Sequence, residues 1–253
     1  MKKLENICYV QRAGLSLCLD LYLPDAESFD VFVYFHGGGL EAGHKANAAV
    51  AVFAPWLAAH GVAVASCDYR KYPGAKYPDF VRDSAAAVHW ISSNIGTYGT
   101  CKRLFVGGSS AGAYLSMMLC FDARWYRECG EFPIPVSGYF HDAGQPTAHF
   151  NVLRERGVDA RRVIVDESAP LYHISDGTEY PPMMLVVADD DMQGRFAQTQ
   201  LVMATLRHFG YDEAKLSYRL MHGKHCSYNK QVDENGDAVL GKMIWEWIGA
   251  CCS

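Results

Sequence analysis

Leu104-Phe105-Val106-Gly107-Gly108-Ser109-Ser110-Ala111-Gly112 is the stretch on which the reading of this chain turns. Three apolar residues suited to a buried strand run straight into small residues, and an apolar segment of helical character follows over 111–121. Strand, turn and helix around a serine form the context of a GxSxG elbow. Small neighbours let the backbone turn sharply and hold the hydroxyl proud of a sheet, beside a helix N-terminus. Centring the motif on Ser109 puts Ala111 where the second glycine belongs. Centring it on Ser110 satisfies both glycines, Gly108 and Gly112. A tight strand-to-helix turn with an N-capping serine is the plainer alternative.

Outward from this stretch the chain alternates short strands with helices. Residues 5–10 and 15–23 read as strands joined at Arg12-Ala13-Gly14. Val31–Phe35 is a fully apolar strand, followed by three glycines and an alanine-rich helix near 46–60. Pro55 inside that helix should kink it or mark its true start. Strands follow at 62–67, 104–106, 183–187 and 216–220, with part of another at Ile134-Pro135-Val136. Helical faces are expected over 78–94, 111–121, up to Gly210 from near Val202, and over 237–251, with one short helix near 147–156 inside an irregular stretch. Apolar strands alternating with helices imply an α/β fold whose mainly parallel sheet is covered on both faces. No linker, repeat or low-complexity segment breaks the pattern, so residues 1–253 are expected to form one domain, with a small irregular cap-like insertion within 140–180.

In such sheets ligands bind at the carboxyl ends of strands. Besides the serine turn, three polar sites stand there. His36-Gly37-Gly38-Gly39 follows Val31–Phe35. Three glycines cost backbone entropy, which a site presenting bare N–H groups to an oxyanion explains. The amides of Gly38, Gly39 and Ala111 are the expected donors. Asp189-Asp190-Asp191 follows the strand at 183–187. Adjacent carboxylates repel, so each needs a partner or ample water. A calcium site is a weaker reading, because the spacing is not that of an EF-hand. His222-Gly223-Lys224-His225 follows the strand ending at Leu220 or Met221, and either imidazole is a candidate general base. An HxxH zinc pair lacks a third ligand in sequence, so no metal and no organic cofactor is expected.

Composition narrows the function classes. The chain has 253 residues, 50% hydrophobic and 20% charged, with a net charge of −5 and no basic block. A chain of this length can bury roughly three quarters of its unfolded surface, which excludes disorder. Nucleic acid and anionic membranes are not expected partners. The uncharged stretch 48–67 approaches a membrane span in length but is interrupted by Pro55, His60 and Gly61. Nine cysteines without a CxxC spacing, behind an N-terminus lacking an apolar signal core, point to free thiols in a reducing cytoplasm.

Together His36–Gly39, the CDYR run at 67–70, the serine turn at 107–112 and the late Asp and His resemble the α/β-hydrolase superfamily. Their chain order, Ser then Asp then His, is that of these enzymes. Within the superfamily the chain is similar to hormone-sensitive-lipase-like esterases and to small acetyl-esterase and xylan-esterase branches. The resemblance spans residues 15–250 and is weakest across 122–182. It implies a three-layer sandwich around a mostly parallel sheet of about eight strands. It implies Ser110 as nucleophile, Asp191 as the acid three residues after Ala188, His225 as the base, and a structural role for His36. The sequence departs from these relatives in placing Leu40 after the glycines, Ser109 before the nucleophile, and no large cap ahead of the glycine loop. Without such a cap, long-chain lipids are poor expected substrates.

The expected reaction is ester hydrolysis through an acyl-enzyme. Leu40, Tyr69, Tyr72, Tyr139 and Phe140 are the expected pocket residues, suited to a short acyl group and to a carbohydrate or phenolic alcohol. A peptidase, lactonase or aryl-formamide hydrolase on the same fold remains open, as does a ligand-binding receptor on an inactive scaffold.

Overall fold

The computed structural model describes residues 1–12 and 14–251. The turn expected at Arg12-Ala13-Gly14 includes Ala13, which lies outside the described residues, as do Cys252 and Ser253. Among the described residues, eight strands form one sheet. In chain order they are β1 (Lys2–Arg12), β2 (Leu15–Leu23), β3 (Ser28–Phe35), β4 (Val62–Cys67), β5 (Thr100–Ser109), β6 (Val136–Asp142), β7 (Met183–Asp190) and β8 (Leu216–Lys224). The spatial order is β1-β2-β4-β3-β5-β6-β7-β8. The two pairings of β2 are antiparallel and every other pairing is parallel. This is the α/β-hydrolase fold that the sequence implies.

Side-chain alternation divides the core in two. On β3, Val31, Val33 and Phe35 face one side while Phe32 and Tyr34 face the other. β5 repeats this with Leu104 and Val106 against Phe105. The central strands read as continuous apolar runs because both faces are covered. Helices α2 (Asp79–Asn94), α3 (Ala111–Phe121) and α6 (Arg195–His208) cover the first face. Helices α1 (Ala48–Ala59) and α7 (Val239–Ala250) cover the second. The Asn47 side chain caps α1 by accepting from the amides of Ala49 and Val50, and the helix runs on through Pro55. Pro55 therefore does not mark its start.

Between β6 and β7 the chain makes a long excursion holding α5 (Phe150–Glu155), the short helix expected near 147–156. Asn151 ties this excursion to the glycine loop, donating from Nδ2 to the Gly39 carbonyl and to Glu41 Oε2. Remaining helix α4 (Arg124–Arg127) is a single turn after α3. The proline-rich start of β6 shortens it: Ile134 and Pro135 stay outside, and the strand extends instead to His141 and Asp142. Against the expectation of free thiols, Cys8 and Cys18 form a disulfide between paired residues of β1 and β2. Among the described residues no helix is long and apolar enough to cross a membrane.

Candidate active site

The register of the serine turn is decided by close packing. Ser110 joins β5 to α3 with φ +56° and ψ −113°. A non-glycine residue in that region stores roughly 1–3 kcal/mol of strain. Its amide donates to the Asp142 carbonyl at 2.7 Å, and its carbonyl accepts from Tyr114 at 3.0 Å. A Cβ on Gly108 would stand 2.5 Å from the Gly112 carbonyl carbon, and one on Gly112 would collide with the Phe35 carbonyl. Both positions flanking Ser110 thus require glycine. Ser109 points the opposite way: it is buried, and its hydroxyl accepts from Tyr34 at 3.0 Å and from Asn229 at 2.9 Å.

His225 lies on the loop after β8. Its Nε2 stands 2.8 Å from Ser110 Oγ and its Nδ1 2.6 Å from Asp191 Oδ1. The Asp191 side chain is fully buried. Burial pushes its carboxyl up, but the hydrogen bond and charge of His225, with the amides of Met192 and Ala188, hold it below the ordinary carboxylate range. The other two acids are separately engaged. Asp189 accepts from His222 at 2.6 Å and from the Gly223 amide at 2.8 Å, and Asp190 stands 3.9 Å from Lys224. His222 is 93% exposed, so the two candidate histidines part company: only His225 meets the serine. Among the described residues no group of three His, Cys, Asp or Glu is placed to hold a metal ion.

The glycine loop packs beside the serine. Gly38 and Gly39 have φ of +122° and +66°, and a Cβ on Gly38 would strike the Ala42 carbonyl. Among the described residues, neither of their amides is used in a turn or loop hydrogen bond. Ala111 is the first residue of α3, where an N–H has no acceptor within its helix. His36 is fully buried, stacks on Tyr69 at 4.4 Å and faces Asp68 from Nε2 at 3.4 Å. It braces the loop. In the CDYR run, Arg70 grips Asp83 with two bonds of 2.8 Å and so ties the segment after β4 to α2.

A cavity of about 420 Å³ opens over Ser110 and His225, lined among others by Gly37–Gly39, Phe150, Met192 and Cys226. The expected pocket residues are not there. Leu40 has φ +63° and is fully buried in the core, because the left-handed turn after Gly39 swings its side chain inward. Tyr69 is buried with its hydroxyl on the His36 carbonyl. Tyr139 and Phe140 are strand residues buried on opposite faces of the sheet. Tyr72 is half-buried, donates its amide to the Leu40 carbonyl and does not line the cavity.

Residues 19–153, more than half of the sequence, match the BD-FAE family. The chain belongs to the BD-FAE family. Its matched span holds the glycine loop and Ser110, while Asp191 and His225 lie beyond it. A probable isoprenylcysteine alpha-carbonyl methylesterase of Oryza sativa subsp. japonica is 32% identical over 232 residues, covering 81% of this chain and 54% of its own. Carboxylesterase NlhH of Mycobacterium tuberculosis is 35% identical over 103 residues, covering 39% of this chain and 31% of its own. The chain thus spans about a third to half of the length of these curated relatives. Among solved structures, esterase B from Lactobacillus rhamnosis superposes with a TM-score of 0.78 at 17% identity, over 99% of this chain and 86% of that one.

Beyond the family's motifs, this BD-FAE member builds a buried polar hub that sequence reasoning missed. Asp142 ends β6 and is fully buried. It accepts from the Tyr228 hydroxyl and, at 2.8 Å, from Asn229 Nδ2. Burial raises its carboxyl, and hydrogen bonds from Ser109, Tyr228 and Asn229 offset part of that rise. The hub joins the serine turn to the loop carrying His225. Its signal was a polar pair, His141-Asp142, ending an apolar run, obscured by the prolines before it.

Proposed function

We propose that the protein is a serine carboxylic ester hydrolase, and that Ser110, His225 and Asp191 form its catalytic triad. The observation that carries this reading is the continuous chain Asp191–His225–Ser110, at 2.6 and 2.8 Å, on a strained serine turn. His225 takes the Ser110 proton as Oγ attacks the ester carbonyl. Asp191 holds the imidazole tautomer and stabilises the imidazolium. The N–H groups of Gly38, Gly39 and Ala111 receive the developing oxyanion. His225 then protonates the leaving alcohol, and water releases the acid by the same route. Membership of the BD-FAE family and the methylesterase and carboxylesterase relatives support ester chemistry. The intact triad favours an enzyme over a receptor.

The preferred substrates are small-molecule esters with a short acyl group, acetyl to butyryl. A cavity of about 420 Å³ accommodates such a group, and Phe150 lies directly over Gly39, closing one side. The excursion carrying α5 acts as a small cap within a single domain. Free thiols such as Cys67 and Cys120 suit a reducing compartment, against the one bridge among the described residues, Cys8–Cys18. The test is kcat/KM across 4-nitrophenyl esters from acetyl to octanoyl. The profile should peak by butyryl and fall steeply by octanoyl; absence of hydrolysis across the series refutes the reading.

A further inference from the structure

Next to the serine cavity lies a second, larger one of about 970 Å³. The two share Phe150 and Met192, so one ligand can reach from Ser110 into both. The second cavity is basic, although the chain as a whole carries a charge of −5. Four arginines line it, 154, 161, 162 and 195, against the single acid Asp159. Arg161 is exposed and paired with Asp159, and Arg154 is paired with Glu41.

Arg195 is different. It opens α6, is 5% exposed, and its Nε and Nη1 are buried without a hydrogen-bond partner. Asp191 acts on it only through space; no salt bridge joins them, because that carboxylate is committed to His225. Burial lowers the guanidinium to about 10, so it stays charged at neutral pH. A buried cation without a direct hydrogen-bonded partner is costly. Gln198, one helical turn further along the same wall, also buries an unpartnered side-chain oxygen. Two residues that line one cavity, each with an unmet buried polar atom, mark a place where a ligand completes the structure.

We propose that this cavity binds a carboxylate carried by the ester substrate, with Arg195 as the residue that selects for it. The inference rests on the ester-hydrolase reading and names its substrate class: acidic esters, in which the carboxylate sits apart from the scissile bond. A hydroxyl or amide N–H beside that carboxylate meets Gln198. A charge-assisted contact to a buried guanidinium supports on the order of tenfold to a hundredfold discrimination over a neutral isostere.

The experiment compares kcat/KM for acids with their primary carboxamides. One arm places the acid on the acyl side (4-nitrophenyl hemiglutarate), the other on the alcohol side (4-carboxyphenyl acetate). The wild type should favour the acid at least tenfold in one arm, which identifies the side that enters the cavity. Arg195→Gln should bring that ratio close to one, and Arg195→Lys should keep part of it. Calorimetric binding of the same pairs to Ser110→Ala reads the preference independently of turnover. Arg195→Met should hold or raise Tm, since it removes an unpaired buried charge. No preference in either arm, a ratio unchanged in Arg195→Gln, or a marked fall in Tm for Arg195→Met overturns the proposal. Failure of every ester to turn over refutes the ester-hydrolase reading instead, and the binding arm then still decides the fate of the anion site.

Discussion

Ser109 and Ser110 are adjacent and chemically identical, yet the backbone gives them opposite fates. The positive φ at Ser110 lifts its hydroxyl toward His225, while Ser109 is turned into the hub around Asp142. Ser110→Ala should lower kcat by on the order of 10⁶ with Tm unchanged. Ser109→Ala should retain most activity but lose about 1–3 kcal/mol of stability, because Tyr34 and Asn229 lose a buried acceptor. Paired measurements of turnover and Tm on the two variants check both statements, and an inactive Ser109→Ala would reverse the assignment. The acids are separable in the same way. Asp191→Asn should cost roughly 10⁴ in kcat. Asp189→Asn and Asp190→Asn should change it only a few-fold, since they pair with His222 and Lys224 while His225 pairs with Asp191. An equal loss at Asp189 would place the acid wrongly.

The elements carry a second set of consequences. Gly39 takes a left-handed turn that buries Leu40 and brings the ring of Phe150, the first residue of α5, against the glycine loop. Leu40→Ala should therefore destabilise the fold by about 2–5 kcal/mol and leave acyl-chain preference unchanged. Phe150→Ala should move the preference toward longer acyl groups; the acyl-length profiles of the two variants distinguish these roles. Sequence alone reached most of the framework here. β4 and α3 fall on the expected residues because their apolar runs end at sharp signals, Gly61 and Cys67 for the strand, Ser110 and Asp122 for the helix. The three residues of the proposed triad, which the structure brings together, stood out in sequence because each follows a strand. The pocket was not, because aromatic residues near the glycines in sequence, such as Tyr69, turn into the core. Phe150 and the residues lining the second cavity come from the excursion after β6 and from the segment running into α6, whose placement depends on long-range contacts such as Asn151 to Gly39.

At the scale of the whole molecule, an accessible surface of 11,012 Å² matches the roughly 11,000 Å² expected of a compact chain of this mass. That compactness buries titratable groups. His141 and His149 are buried, and burial lowers both imidazoles to about 3. In the unfolded chain they take up protons below about pH 6.5. The native state remains neutral at both until near pH 3, so their contribution to stability is full above pH 6.5 and is lost as pH falls from there toward 3. The urea midpoint should fall steadily from pH 7 to pH 4, and a constant midpoint across that range would contradict the assignment. The basic cavity and the serine cavity share Phe150, from the excursion after β6, and Met192, from the loop after β7, so these two loops join the two cavities.

Reaction with a fluorophosphonate, read by intact mass and peptide mapping, tests the central claim most directly. A serine activated by His225 should take up one phosphonyl group, on Ser110, and Ser110→Ala should take up none. An unmodified wild-type protein, or an adduct on any other residue, would contradict the account.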